Sequence, residues 1–230
     1  MVPVNTTHTN SQDTRLLDAL GAGNSSTRLQ RALAAGTDAD PRLVDALIAR
    51  CAIEPDFFVR DMLTWALTRL PPEITVSRLH AELRSGRAQA RSQALHRLSK
   101  IGDGSTWPAI TRSLLRDADD EVARSAWRAA VVLVPDGEQA GLAVELAAQL
   151  GRGDRNVQLS LSRALVALGD LIEPVLQTGL ASSDPTVSAH ARATEQLLHD
   201  PDAESDVTKR FVALGPERAA KIEEGEDPAC

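Results

Sequence analysis

An apolar pattern of fixed spacing recurs along this chain of 230 residues and restricts the folds open to it. Apolar side chains stand at offsets of 0, 4, 7, 8 and 11 residues, which places them on one face of an α-helix. The pattern starts again every 30 to 35 residues and so predicts an array of similar helical units. The copies begin at Val59, Ala90, Val122, Val157 and Val187.

A shorter helix is predicted before each of these, because every copy follows a pair of apolar residues spaced four positions apart. The repeating unit is therefore a helical hairpin. A sixth hairpin is predicted to open the array, with helices at residues 15–20 and 27–35 and with Gly36 closing the second helix. The apolar pairs are Leu43/Leu47, Leu79/Leu83, Ile110/Leu114, Leu142/Leu146 and Leu176/Leu180.

Dipeptides and glycines between the apolar stretches agree with this organisation. Asp40-Pro41 and Asp184-Pro185 predict helix starts, because Asp caps the first amides and Pro fits the first helical turn. Trp107-Pro108 is interpreted in the same way. Gly102 and Gly169 predict the left-handed residues at which helices commonly end.

The sequence thus predicts an all-α protein, a right-handed α-solenoid of about five to six helical hairpins over residues 13–200. Residues 1–12 and the acidic residues 217–230 are expected to be disordered, and residues 201–216 to form a capping helix. Two cysteines offer no disulfide framework, and neither a signal peptide nor a membrane-spanning run is expected. We therefore expect a cytoplasmic protein.

The repeated Asp, the Val-Arg pair and the Ala and Leu residues that follow resemble the HEAT repeat, most nearly the short bacterial and phycobilin-lyase HEAT-like type. The resemblance covers roughly residues 13–198. It implies a scaffold that binds a partner protein, and a ladder of Asp and Arg side chains between units. The ladder would be incomplete here, since only Arg60 and Arg91 match its arginine; Asp56, Asp119, Asp154 and Asp184 match its aspartate.

In such arrays the second helix of each hairpin lines the concave face, which is the usual ligand face. Side chains at matching positions on these helices form a strip in which tryptophan stands among arginines, a combination suited to an anionic partner. In the alternative reading, Trp65 fills a gap between helices and the arginines form salt bridges between units. The predicted contact strip is Arg60, Asp61, Trp65, Arg91, His96, Arg124, Arg128 and Arg163.

The formal charge of −7 is unevenly distributed. Residues 60–130 contain 12 Lys and Arg against 8 Asp and Glu, so the middle of the chain is mildly basic. Nucleic-acid binding is therefore an alternative, including an activity like that of the HEAT-like alkylpurine DNA glycosylases. The acidic net charge and the absence of Tyr disfavour a groove in which bases stack.

No catalytic residue, metal ligand set or cofactor is predicted. The five His residues lack the spacing of metal ligands, and no nucleophile elbow or phosphate-binding glycine loop occurs. Cys51 lies on an apolar helix face and is predicted to be buried. The sequence therefore favours a non-catalytic scaffold that binds a protein with an acidic or anionic surface, and a regulatory role is a further alternative.

Overall fold

The computed structural model describes residues 20–200. Within this range the chain forms helices joined by turns and contains no strand, which confirms the predicted all-α class. The chain divides into two compact units, one up to Glu138 and one from Gln139 onward. Predictions for residues 1–19 and 201–230 lie outside the described part. Among residues 20–200, no helix has both the length and the apolar character needed to cross a bilayer.

The first unit alternates short and long helices, as the repeated pattern predicts. Two short 3₁₀ helices, Pro41–Leu43 and Gly104–Ala109, precede α2 and α6 respectively. The α-helices are α1 (Ser25–Asp38), α2 (Val44–Cys51), α3 (Phe57–Thr68), α4 (Pro72–Glu82), α5 (Ala88–Ile101), α6 (Arg112–Leu115) and α7 (Asp120–Leu133).

The second helices of successive hairpins lie side by side in this unit. Helix α1 contacts α3, α3 contacts α5, and α5 contacts α7. The shorter helix α2 packs against α3, α4 and α5 and so covers the opposite side of the same layer. The first residues of the apolar pattern, Val59, Ala90 and Val122, are all buried, as predicted. Each fully buried Val or Leu contributes about 1.5–3 kcal/mol, so this face holds the helices together.

Aspartates cap the helices at the positions that the sequence indicates. The Asp56 carboxylate accepts hydrogen bonds from the amides of Phe58 (2.9 Å) and Val59 (3.1 Å) at the start of α3. Asp40 accepts from the Arg42 amide at 3.0 Å, which confirms the helix start predicted from Asp40-Pro41. The helix end predicted at Gly102 is also confirmed, because Gly102 ends α5 in the left-handed conformation with a φ of 72°.

Two predicted boundaries in the first unit are wrong. Gly36 does not close a helix, because α1 continues to Asp38 and ends at Ala39 in the left-handed conformation. Gly36 instead permits a close approach: a Cβ there would lie 2.7 Å from Cε3 of Trp65 and 2.8 Å from Cα of Ala66. Pro108 does not start a helix either, since it lies inside the 3₁₀ helix Gly104–Ala109.

The two arginines that match the HEAT ladder bind other groups than its aspartates. Arg60 donates from Nη1 to the carbonyl oxygens of Glu54 (2.9 Å) and Pro55 (2.7 Å). Arg91 forms a two-point ion pair with Asp117, with N–O distances of 2.9 and 3.0 Å. Asp117 stands two residues before the matching position, so the contact still joins adjacent hairpins but through a different carboxylate.

A buried carboxylate, Glu54, joins the first hairpins of this unit. It is 0% exposed and accepts two hydrogen bonds from Arg28 of α1, each 2.8 Å long. Arg50 of α2 donates to it at 2.7 Å, and the Asp56 amide at 2.9 Å. Burial acts to raise the pKa of Glu54, but these hydrogen bonds and charges outweigh it and lower the pKa to about 2. Glu54 is therefore a charged group within the core.

The second unit, from Gln139, has the same alternation of helix types. Helix α9 contacts α11, while α8 and α10 contact each other and pack against α9 and α11 respectively. Asp154 and Asp184 cap α9 and α11, and the latter confirms the start predicted from Asp184-Pro185. Gly169 is left-handed, as predicted, with a φ of 64°, but it does not end α9, which already ends at Ala167. The helices are α8 (Gln139–Ala147), α9 (Arg155–Val166), a 3₁₀ helix Gly169–Ile172, α10 (Glu173–Leu180) and α11 (Pro185–His199).

A neutral histidine ties the helices of the second unit together. His190 is buried, and its Nδ1 accepts a hydrogen bond from the Gly151 amide at 3.0 Å. Its Nε2 therefore carries the proton and donates to the Gln158 carbonyl, 2.9 Å away, with the Ser162 hydroxyl at 3.1 Å. Burial lowers the pKa of His190, and the hydrogen bond to Gln158 acts against it. Protonation of Nδ1 would direct an N–H at the Gly151 amide.

Replacement of Glu54 by Gln should destabilise the protein by about 3–5 kcal/mol, because Arg28 and Arg50 would lose their buried counter-charge. Urea unfolding at neutral pH measures this loss, with the exposed Glu73→Gln as the matched control. The folded-state pKa lies below the ordinary value of 4.5, so the Glu54 contribution is complete above pH 4.5 and disappears toward pH 2. Equal unfolding free energies for E54Q and wild type at pH 7 would contradict this account.

Replacement of His190 by Gln should weaken the pH dependence of stability. The folded-state pKa of His190 lies below its ordinary value of 6.5, so its contribution is complete above pH 6.5 and declines as the pH falls. Thermal unfolding between pH 7.5 and 5 should therefore show a smaller acid-induced decrease in Tm for H190Q than for wild type. The exposed His199→Gln should retain the wild-type slope.

Candidate functional site

A groove of about 320 Å³ lies across the second helices α3, α5 and α7 of the first unit. All of its lining residues except Phe57 are polar or charged, and charges of both signs occur. Four members of the predicted contact strip line it, namely Arg60, Asp61, His96 and Arg128. The structure thus brings together side chains from three successive hairpins. The lining residues are Phe57, Arg60, Asp61 and Thr64 of α3, Ser92, Gln93, His96 and Lys100 of α5, and Glu121, Ser125 and Arg128 of α7.

Helix α3 presents its groove residues at spacings of three and four, as one face of a helix requires. Phe57 stands at the helix start with 65% of its surface exposed. The Arg60 guanidinium carbon lies 6.0 Å from the centre of its ring, within the range of a cation–π contact. The Glu54 and Pro55 carbonyl groups fix the other side of this guanidinium. The first cation of the groove is therefore held in place by the core.

Helix α7 contributes a second positioned cation. Arg128 donates from Nε to the Arg124 carbonyl at 3.2 Å and from Nη2 to the Ser125 hydroxyl at 3.2 Å. Ser125 also bonds to Ser92 of α5 at 3.0 Å, so this contact links the two helices under the groove. Burial lowers the pKa of Arg128, and the charge of Arg124 acts in the same direction. An anion bound here would offset that repulsion.

His96 lies between the two positioned arginines, on the middle helix α5. Burial lowers its pKa to about 4, and the charges of Arg97, Arg128 and Lys100 act in the same direction. Asp61 is the opposing influence. His96 is consequently neutral at physiological pH. Burial is the main cause of this low pKa, and the cations around His96 add to it, although the formal charge of the whole chain is −7.

The other four residues of the predicted strip lie outside the groove lining. Trp65 is 39% exposed, but its ring lies against Gly36 of α1, on the side of α3 away from α5. Arg91 is held by Asp117, and Arg124 pairs with Glu121. Arg163 is an exposed residue of α9 in the second unit.

The predicted contact strip does not include Phe57, Lys100 and Glu121, which also line the groove. Lys100 lies four residues after His96, and Glu121 lies seven residues before Arg128. Both belong to the helix faces already chosen for the strip, so an extension by one or two turns would have found them. Phe57 lies two residues before Val59, ahead of the repeated apolar pattern from which the strip was chosen.

The Ser162–His190 contact resembles part of a hydrolase site but lacks the required chemistry. Both side chains are buried, and the proton on Nε2 faces the Gln158 carbonyl. A histidine that already donates from this nitrogen cannot accept the Ser162 proton. Within residues 20–200, no group of three or more His, Cys, Asp or Glu side chains is placed to hold a metal ion.

No protein-family model matches the chain, and no curated protein matches it. Two engineered proteins with crystal structures from the Northeast Structural Genomics Consortium are similar to it. One shares 22% sequence identity at a TM-score of 0.44, over 82% of this chain and 96% of its own. The other shares 18% identity at a TM-score of 0.43, over 79% and 96%. Sequence identities and TM-scores this low support no conclusion about the fold or function of this chain.

Replacement of Arg128 by Gln should raise the pKa of His96, because it removes one of the charges that disfavour the imidazolium. NMR titration of the His96 ring signals between pH 3 and 8 measures the change. The wild-type midpoint is expected at about 4. Arg69→Gln removes an exposed arginine outside the groove lining and should leave that midpoint unchanged. A wild-type midpoint near the ordinary value of 6.5 would contradict the proposed surroundings of His96.

Proposed function

We propose that this chain is a HEAT-like α-solenoid without catalytic activity that binds an acidic segment of a partner protein along its second helices. The groove across α3, α5 and α7 is the centre of the proposed binding face. The observation that carries the proposal is the meeting of three cations from three successive second helices, Arg60, Lys100 and Arg128, in one groove. A locally positive groove in an acidic protein selects an anionic partner by charge complementarity.

The repeat organisation supports a scaffold. Hairpins of similar pattern place equivalent helix faces side by side, and such faces form long binding surfaces in repeat proteins. The cations in the groove differ in kind, since Arg60 and Arg128 are held by hydrogen bonds while Lys100 is exposed. Positioned guanidinium groups lose little side-chain entropy when a carboxylate binds. The site is thus suited to recognition of carboxylate groups in a protein segment.

The groove also contains two acidic side chains, Asp61 and Glu121, which bear on the alternative of nucleic-acid binding. A continuous phosphate backbone would meet these carboxylates as well as the cations, and each such encounter costs affinity. A protein segment can place its acidic residues opposite the cations alone. This mixture of charges therefore favours a protein partner.

The double variant Lys100→Glu/Arg128→Glu should lose binding to acidic peptides, because it reverses two of the three groove cations. The full chain is used to select binders from a displayed library of random peptides of about 16 residues, about four helical turns. Selected peptides should be rich in Asp and Glu. Their Kd, measured by fluorescence polarisation, should increase about tenfold or more in the variant.

The control variant is Arg69→Glu/Arg84→Glu, which makes the same change of charge at exposed positions outside the groove lining. It should bind the selected peptides like wild type, and circular dichroism should show equal helicity for both variants. Selected peptides without acidic residues, or equal affinity of K100E/R128E and wild type, would exclude the proposal. Retention of duplex DNA at about 0.15 M salt would favour the nucleic-acid alternative instead.

A further inference from the structure

Helix α3 has a third face, which lies on its α1 side, away from the groove. Its core face carries Val59 and Leu63, and its groove face carries Phe57, Arg60 and Asp61. With 3.6 residues per turn, Phe58, Met62 and Trp65 lie about 110° around the helix from the groove face. We call this face of α3, together with Leu33 of α1, the apolar stripe.

The apolar stripe is exposed although it contains large hydrophobic side chains. Phe58 has 70% of its surface exposed, Leu33 46% and Trp65 39%. The Phe58 ring meets Phe57 edge to face, with ring centres 5.6 Å apart, so the stripe and the groove meet at this aromatic pair. Contiguous exposed apolar surface next to polar groups is typical of protein interaction sites.

Helix α1 extends the stripe beyond α3. Arg28 near the start of α1 binds Glu54 just before α3, and Gly36 near the end of α1 meets Trp65 near the end of α3. The two helices therefore run parallel and in register. Leu33 lies one turn before Gly36 on the same side of α1 and so borders the α3 residues of the stripe. Gly36 keeps the two backbones close and gives the Trp65 ring its place between them.

We infer that the partner segment is an amphipathic acidic helix, whose apolar side chains pack on the apolar stripe while its acidic side chains enter the groove. This inference rests on the proposed function and adds the form of the partner to it. Phe58 and Trp65 are seven residues apart, which corresponds to about 10 Å along α3, or two helical turns. Partner residues at positions i and i+7 have the same separation. Acidic residues between them on the adjacent face then meet Arg60, while Lys100 and Arg128 attract them from across the groove.

The charges and the apolar groups act on different parts of the binding reaction. The cations attract the acidic face, and this contribution decreases with added salt. The apolar stripe removes hydrophobic surface from water, which is little affected by moderate salt and mainly slows dissociation. A segment that carried only acidic residues would leave Phe58 and Leu33 in water.

Peptides selected from the displayed library should carry apolar residues at spacings of three, four and seven, with Asp and Glu on the adjacent helix face. The test variant is Leu33→Ala/Phe58→Ala, which removes two exposed side chains without opening the core. It should raise the Kd of these peptides about tenfold and leave the salt dependence of Kd unchanged. Lys100→Glu/Arg128→Glu should reduce the salt dependence as well as the affinity.

Ile74→Ala/Val144→Ala is the matched control, because it truncates exposed apolar side chains of the shorter helices α4 and α8. It should bind the peptides like wild type. Wild-type affinity in L33A/F58A, with loss in K100E/R128E, would overturn the amphipathic helix and leave the proposed function standing. Loss in L33A/F58A with wild-type affinity in K100E/R128E would overturn both. Selected peptides whose apolar residues have no helical spacing would also overturn the inference.

Discussion

The buried carboxylate of Glu54 is the contact on which the first unit depends. Its side chain holds Arg28 of α1 and Arg50 of α2, and its backbone carbonyl accepts from Arg60 of α3. The same carbonyl accepts from Gln89 of α5 at 2.8 Å. One residue thus joins four helices, and loss of its carboxylate would leave the charges of Arg28 and Arg50 uncompensated. The apolar faces bring these helices together, whereas Glu54 fixes their relative positions.

This arrangement connects the core to the binding face. Arg60 is held from behind by the Glu54 carbonyl and presents its guanidinium to the groove beside Phe57. Helix α3 therefore presents three faces: one packs in the core, one lines the groove, and one carries the exposed apolar stripe. Helix α3 lies between α1 and α5 and contacts both. It therefore borders the apolar stripe on its α1 side and the groove on its α5 side.

Periodicity predicted the helices well because burial of one face against neighbours is a local property of each hairpin. The aspartate caps were equally predictable, since a cap bonds only to the amides of its own helix. Gly36 was misread because its role is defined by Trp65, which lies 29 positions later in the chain. Glu54 was missed for the same reason: a carboxylate in a turn is usually exposed, and its cationic partners come from two other helices. The contact strip was found in part, because helical spacing identifies a face but not which neighbour covers it.

The copy of the repeat that begins at Ala90 departs from the others at one buried position. Arg97 occupies the position seven residues after Ala90, where equivalent helices carry Ala66, Ala129 and Ala164. It is fully buried, and its guanidinium donates to the Gln93 carbonyl and to Cys51 Sγ of α2. Gln93 belongs to the same helix, whereas Cys51 Sγ and the Arg60 carbonyl, 3.5 Å away, belong to the preceding hairpin. Without these two acceptors the buried guanidinium would keep only the Gln93 oxygens. This hairpin is consequently not interchangeable with the others, because moving it along the chain would separate Arg97 from the groups that the preceding hairpin supplies.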